Sequence, residues 1–207
     1  MAILYSENFD GMAEGLSPPT GWIKDTTYVL TDCEVDDVQA HSGAHSMWVL
    51  KSTAGVAYCR HPITYTSEPL EYWCYFPGSQ RHYMNIQSDN SNYDISKIGV
   101  MLYFSKATAT TTYNTPGGWV DTGIPLGTGW HKVKIVCDYT AETFDLWYDD
   151  VKIIIGGLFY SSQSTAGSIQ FGALASQWWI DNIQVGESIG AGVVIQDCNM
   201  VDCIIGG

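Results

Sequence analysis

Apolar and polar residues along this chain alternate in short runs, and the signals that start and stop helices are nearly absent. The segment 130–137 (WHKVKIVC) sets Lys132 and Lys134 against Val133, Ile135 and Cys137. That is a strand with one wet face and one buried face. In 143–148 (TFDLWY), Phe144, Leu146 and Tyr148 share one face, while Asp145 and Trp147 share the other. Asp149 and Asp150 then turn the chain into 151–155 (VKIII), which reads as a hairpin. Further β-branched and aromatic runs occupy 46–51, 56–61, 70–76, 98–105, 168–174 and 178–185. Clusters of Gly, Pro, Asn, Asp and Ser separate them. Strands punctuated at this spacing predict an antiparallel sandwich or barrel rather than βαβ units. The threonine-rich run 108–113 reads as an exposed strand end or loop.

After Val185 the pattern changes. Residues 186–192 (GESIGAG) read as a flexible linker, and the apolar tail 193–207 (VVIQDCNMVDCIIGG) follows. The expected organisation is one domain over 1–186 and a linker with a C-terminal β-arm over 187–207. At 207 residues the chain is long enough for one large all-β domain. No run of about 18 apolar residues is present to cross a membrane as a helix.

Charge narrows the partners. Nine Lys and Arg against 22 Asp and Glu give a net charge of −13. The arginines are Arg60 and Arg81 alone, and the lysines are scattered. A phosphate backbone is held by clustered cations, so nucleic acid and anionic membranes are not expected partners. Divalent cations, neutral sugars and basic protein patches suit such a surface. The six cysteines include no C-x-x-C pair. Cys74 and Cys137 lie within apolar runs and read as buried thiols, whereas Cys198 and Cys203 in the tail are open to oxidation. Cys33, Cys59 and His61 are possible metal donors, although their contexts read more simply as core strands. The N-terminus has no basic, apolar or cleavage region of an export signal. Either a signal was removed before the numbering begins or the protein is made and assembled in a cytoplasm, and an initiator-like Met1 favours the second.

The order of several pieces resembles the laminin-G-like, concanavalin-type jelly rolls and the related MAM-type and adhesin sandwiches. These pieces are 7–11 (ENFDG), 19–22 (PTGW), 41–46 (HSGAHS) leading into 47–50 (MWVL), 130–133 (WHKV), 146–150 (LWYDD) and 179–183 (WIDNI). The resemblance implies a two-sheet antiparallel jelly roll. It also implies a structural calcium ion held where an acidic pair in the first strand meets an aspartate in the last: here Glu7, Asp10 and Asp181, with carbonyls near 42–45. The superfold hosts lectins, carbohydrate-binding modules, adhesins, virion proteins and glycosidases, so function must come from the site.

Catalysis is not expected. Glycosidases need two spaced carboxylates, and the E-x-D-x-x-E strand pattern of the glucanase relatives is absent. The nearest acidic cluster, Glu34, Asp36 and Asp37, reads as lying before a turn without a strand around it. Neither G-x-S-x-G nor H-E-x-x-H occurs, and a turn separates His41 from His45. Eight Trp and 13 Tyr are the other notable feature. Trp73, Tyr75 and Trp147 fall opposite the inward register of their strands, and Trp119 lies in a glycine-rich loop. These four are the candidate sugar-stacking surface, with Tyr83, Asn85, Gln87, Asn90 and Asn92 as polar partners. Val193, Val194, Ile195, Cys198 and Cys203 are the candidate assembly contacts. The leading expectation is a non-catalytic structural or adhesive sandwich on a virion surface. It would bind copies of itself or other virion proteins through the arm, and possibly a cell-surface glycan. The alternative is a secreted carbohydrate-binding module or lectin.

Overall fold

A computed structural model describes residues 3–25, 32–77, 81–105 and 110–186, and their side chains except those of 52–57. The candidate assembly residues Val193, Val194, Ile195, Cys198 and Cys203 lie outside the described residues. The fold is all-β and antiparallel. In chain order the strands are β1 (Tyr5–Glu7), β2 (Ile23–Lys24), β3 (Asp32–Asp36), β4 (Ser46–Tyr65), β5 (Leu70–Phe76), β6 (Arg81–Gln87) and β7 (Ile98–Ser105). They continue with β8 (Thr110–Thr115), β9 (Gly118–Pro125), β10 (Gly129–Asp138), β11 (Thr143–Tyr148), β12 (Val151–Leu158) and β13 (Ala166–Val185). A 3-10 turn, Ile95–Lys97, precedes β7.

Two long strands join the layers. The first half of β4 and the second half of β13 pair with each other, and β13 there continues through β5, β10, β11 and β12. β3 pairs the other edge of β4, and β1 pairs the end of β13. This is sheet one. The second half of β4 and the first half of β13 continue instead through β6, β7, β8 and β9, with β2 on the far side of β4. This is sheet two. The register of β13 shifts at Ala175 and again at Asn182, both with positive φ. Each shift is a bulge, and a bulge bends a strand and raises its twist. The expected segments 46–51 and 56–61 are therefore one strand, as are 168–174 and 178–185.

The core follows from alternation. Met84, Ile86, Val100, Leu102, Phe104, Phe171 and Ala173 from sheet two meet Tyr72, Cys74, Phe76, Val133, Ile135, Trp178 and Ile180 from sheet one. Full burial of each large apolar side chain contributes about 1.5–3 kcal/mol. The hairpin expected at Asp149 and Asp150 is present, with φ 48° and 62°, as a type I′ turn requires. One expectation is corrected. The threonine run is not an exposed end: Thr111 and Thr112 of β8 are buried, because β9 covers that strand's other edge.

Candidate functional site

The side of sheet two that faces away from the core is lined with aromatic rings. On β6, His82, Met84 and Ile86 point inward, so Tyr83, Asn85 and Gln87 point outward. On β7 the inward set is Val100, Leu102 and Phe104, which puts Met101, Tyr103 and Ser105 on the outer side. The ladder register then fixes two rows across the sheet. One runs Tyr58, Gly172, Tyr83, Tyr103, Thr112, Asp121. In the next, Arg60, Gln170, Asn85 and Met101 lie in register, and Asn114 pairs with Trp119 at the far edge.

These rings touch in series. Tyr93 lies parallel on Tyr58, with centroids 4.7 Å apart and planes at 4°. Tyr58 meets Tyr83 edge-on at 6.2 Å across Gly172, which has no side chain to separate them. Tyr83 stacks on Tyr103 at 4.6 Å, and Tyr103 contacts Trp119 at 5.6 Å. Trp119 is 49% exposed at the open end. Between them lies a cavity of about 380 Å³ lined by Tyr58, Tyr83, Tyr93, Ile95, Met101, Asn114 and Trp119. A second cavity of about 240 Å³ adjoins it against Tyr83, Tyr103, Ser105, Thr112 and Trp119. Concave, mostly apolar sites of this size with a few polar groups are typical ligand sites.

The 88–97 loop walls one end and is held from several sides. The Arg60 guanidinium donates to Asn90 and Asn92 at 3.1 and 2.9 Å. The Tyr93 amide donates to Asp25 Oδ2 at 2.6 Å, and Gln87 Nε2 donates to Asp89 Oδ1 at 3.0 Å. A Cβ at Gly167 would come within 2.4 Å of the Ser88 carbonyl, so strand and loop touch directly. Tyr93 is thus held in place by the loop's own hydrogen bonds. Beneath the rings, Asn85 and Gln170 are buried, and Asn85 Oδ1 and Gln170 Nε2 have no hydrogen-bond partner.

The titratable groups of this face are set by their neighbours. Burial, helped by the neighbouring Tyr103, pushes the Tyr83 phenol up to about 12, so its hydroxyl stays neutral at ordinary pH. The carboxylates near the groove are engaged. Asp25 accepts from Tyr93, Asp121 from the Gly123 amide at 2.8 Å, and Asp94 caps the 3-10 turn. Asp89 sits 2.7 Å from the Lys97 ammonium. Partial burial opposes its ionisation, but Lys97, Ser91 and Gln87 together hold it well below the usual carboxylate range.

Of the residues singled out in the sequence, Trp119, Tyr83, Asn85 and Gln87 come together on this face, and Asn90 and Asn92 pin its loop. Trp73, Tyr75 and Trp147 do lie opposite the core, but on sheet one, away from the groove. There His41 stacks on Trp73 at 3.7 Å, and Tyr75 packs edge-on against Trp130 and Trp179. The Lys134 and Lys152 ammoniums cover Trp147 at 5.3 and 4.8 Å. Tyr58, Tyr93 and Tyr103 were not foreseen. The alternation rule that isolates Trp73 would have isolated Tyr103, which stands opposite Leu102 and Phe104.

The acids sort differently. Asp10 and Asp181 do converge on the 41–45 loop from opposite ends of the chain, yet what they meet there is amides. The Ala44 and His45 amides donate to Asp10 Oδ1, and the His41 and Ser42 amides donate to Asp181 Oδ2. Glu7 accepts from the Phe9 amide at 2.8 Å. Among the described residues no group of three or more His, Cys, Asp or Glu is set to hold a metal ion. The Glu34 cluster is on a strand after all. Asp32, Glu34 and Asp36 alternate on β3 with the buried Cys33 and Val35. Partial burial and the Asp32 carboxylate raise Glu34 above its ordinary value. Asp32 is tied to Lys24 and Ser17, and Asp36 accepts from the Trp179 indole. This face belongs to sheet one and is not the groove.

No protein-family model and no curated protein matches the sequence. Solved structures do match in fold. A sialidase aligns with TM-score 0.65 at 10% identity over 89% of this chain, which spans only 18% of that enzyme's length. A Bacillus subtilis protein of unknown function with a galectin-like fold aligns with TM-score 0.62 at 13% identity, covering 90% of this chain and 96% of that one. The carbohydrate-binding module CBM66 from Bacillus subtilis gives TM-score 0.56 at 12% identity, covering 81% and 96%. Glycosidases stand among the neighbours as well. The chain thus has the jelly-roll sandwich found in galectin-like and concanavalin-type carbohydrate-binding domains and in glycosidase modules.

Proposed function

We propose that the protein is a non-catalytic carbohydrate-binding module that holds a neutral glycan in the groove of sheet two. The observation that carries this is the continuous series Tyr93, Tyr58, Tyr83, Tyr103, Trp119 bordering two adjoining cavities. Aromatic planes take the C–H faces of sugar rings, and Asn114, Thr112 and Ser105 supply hydrogen bonds to hydroxyls. The only cation in the two rows, Arg60, is committed to Asn90 and Asn92, which favours uncharged sugars. The laminin-G-like and MAM-type resemblance of the sequence supports the same reading at the level of fold.

Binding to a panel of neutral oligosaccharides, followed by calorimetry, tests the assignment. Trp119→Ala and Tyr83→Ala should each weaken binding about 10- to 100-fold, as loss of a central aromatic anchor does. Trp147→Ala should leave it unchanged. Binding that persists in both groove variants, or that fails only in Trp147→Ala, overturns the site. Release of reducing ends that disappears in Glu34→Gln overturns the non-catalytic reading. Calcium at Glu7, Asp10 and Asp181 is tested separately: chelator lowers the melting temperature only if a cation competes with the loop amides for these carboxylates.

A second reading, display on a particle surface through the 187–207 arm, is favoured by one observation. The edge strand β12 exposes Val151, Ile155 and Leu158, by 62%, 78% and 56%. An apolar edge invites strand addition by another chain. Deleting residues 190–207 should convert an assembled species to a monomer with an unchanged far-UV spectrum. Unchanged sedimentation would remove this reading and leave the glycan site untouched.

A further inference from the structure

The larger cavity of sheet two carries aliphatic side chains where the smaller one carries hydroxyls. Ile95 and Met101 border the first, Ser105 and Thr112 border the second, and Tyr83 and Trp119 stand in both. Ile95 opens the 3-10 turn and is 44% exposed, an apolar side chain that the core does not claim. Its backbone is tied on two sides. The Ile95 carbonyl accepts from the Ser161 hydroxyl at 3.2 Å, and the Asp94 amide before it donates to Gln87 Oε1 at 3.1 Å. Met101 leaves β7 on the outer side, and the register of Leu102 with Tyr113 sets it beside Asn114 of β8. Asn114 Nδ2 donates to Met101 Sδ at 3.6 Å. With the nitrogen so directed, Oδ1 is the acceptor that this amide offers to the cavity. Among the described residues, no charged side chain lines this cavity.

We propose that the larger cavity selects an N-acetylated amino sugar by its acetamido group. The inference rests on the reading of the groove as a glycan site and adds what that site selects. A secondary amide is planar and trans, so its N–H and its acetyl methyl lie along one edge, with the carbonyl oxygen on the other. Asn114 and Met101, in contact with each other, match that edge. The N–H donates to Asn114 Oδ1, and the methyl beside it falls against Met101 and Ile95. Tyr83 and Trp119, which the two cavities share, are left for the faces of the sugar rings.

Other substituents meet only part of this wall. A hydroxyl in place of the acetamido group supplies a donor but leaves the two aliphatic side chains without an apolar partner. The methyl of a deoxy sugar covers them but brings no donor beside it for Asn114. An unacetylated amine is a cation and finds no carboxylate on the lining to offset its desolvation. The acetamido group supplies the donor and the methyl together and carries no charge.

The test titrates the full chain with the methyl glycosides of glucose, galactose and mannose, of their 2-acetamido counterparts and of the free 2-amino sugars. Ligand-observed NMR reads such weak binding. At least one acetamido sugar should bind about tenfold tighter than its hydroxyl counterpart, as one methyl recognised in an apolar pocket does. Its acetyl methyl should receive the strongest saturation from the protein, and its free amine should bind no tighter than the hydroxyl sugar. Ile95→Ser, at an exposed position, should bring that ratio down toward parity, whereas Trp119→Ala should weaken both members of the pair. Hydroxyl sugars that bind as tightly as their acetamido partners, and that Trp119→Ala weakens, overturn the selection and leave the glycan site standing. A preference that survives Ile95→Ser unchanged overturns the selection by this cavity. Binding by none of these sugars, nor by the neutral oligosaccharides, overturns the groove reading and the selection with it. The wild-type comparison within each pair stands whatever the variants do.

Discussion

Asp181→Ala is expected to lower the melting temperature by about 10 °C without touching the groove. Asp181 is fully buried, and its carboxylate gathers the amides of His41 (2.9 Å), Ser42 (3.1 Å) and Asn182 (2.7 Å). Asp10 gathers the next two, Ala44 (2.6 Å) and His45 (3.0 Å). Two acids more than 170 positions apart in sequence thereby hold one five-residue loop, 41–45, across the start of β4. Each buried donor left without an acceptor costs about 1–3 kcal/mol. Two such losses amount to about 3 kcal/mol, and in a domain of this size each kcal/mol is worth about 2–4 °C. Gly43→Ala should act on the same loop. Gly43 has φ +67°, and a Cβ there would lie 1.8 Å from Asp10 Oδ2. A thermal scan that leaves both variants at the wild-type midpoint would refute this account of the loop.

Asp181 also predicts a pH dependence. Burial, with Asp10 adding to it, raises its carboxyl to about 6 from the ordinary 3.8, against the pull of the three amides. The folded state binds this proton more tightly than the unfolded chain does. Its contribution is therefore fully present below pH 3.8 and is lost as pH rises through 6. At about 1.4 kcal/mol per unit, the span is about 3 kcal/mol.

The sequence was legible where one face of a strand is wet. β10 and β11 alternate cleanly because Lys132, Lys134, Asp145 and Trp147 face away from the core, and the turn at Asp149 and Asp150 has its own signature. β6 was illegible for the opposite reason. Its outward residues Tyr83, Asn85 and Gln87 are covered by other rings and by the 88–97 loop, so polar side chains are buried and the run RHYMNIQ reads as irregular. Tyr83 on that strand entered only as a polar partner of Trp119, and Tyr58, Tyr93 and Tyr103, which join it from β4, the 88–97 loop and β7, were missed because the register that brings them together is not local. The convergence of Asp10 and Asp181 on 41–45 came from the resemblance. What the loop offers them, amides rather than carbonyls, depends on backbone direction, which residue types do not encode. The union of 46–51 and 56–61 in one strand depends on β4 crossing between sheets, and nothing local in the sequence announces that a strand will bend.

His82 should make the domain sensitive to acid, with the opposite sign to Asp181. Its ring is buried between Phe76 and Trp178, at centroid distances of 5.3 and 4.9 Å. Nε2 lies 2.9 Å from the Gln177 carbonyl, which makes it the donor, while Nδ1 has no partner. Protonation would put a second N–H, and a charge, into an apolar slot. Burial accordingly lowers the ring to about 3 from the ordinary 6.5, and the bond to Gln177 only partly offsets this. A depressed value means that the unfolded chain takes the proton first. Stability is intact above pH 6.5 and is lost progressively as pH falls toward 3. By pH 4 the loss is about 3 kcal/mol at about 1.4 kcal/mol per unit. Asp181 gains over nearly the same window, so the two groups mask each other in the wild type. Denaturant titrations from pH 7 to 4 separate them. His82→Gln, which keeps a donor for Gln177 but does not titrate, should grow more stable toward acid because only Asp181 remains. Asp181→Asn should grow less stable, because only His82 remains. Parallel profiles in the two variants would show that neither burial controls the pH response, whereas slopes of opposite sign would assign one to each residue.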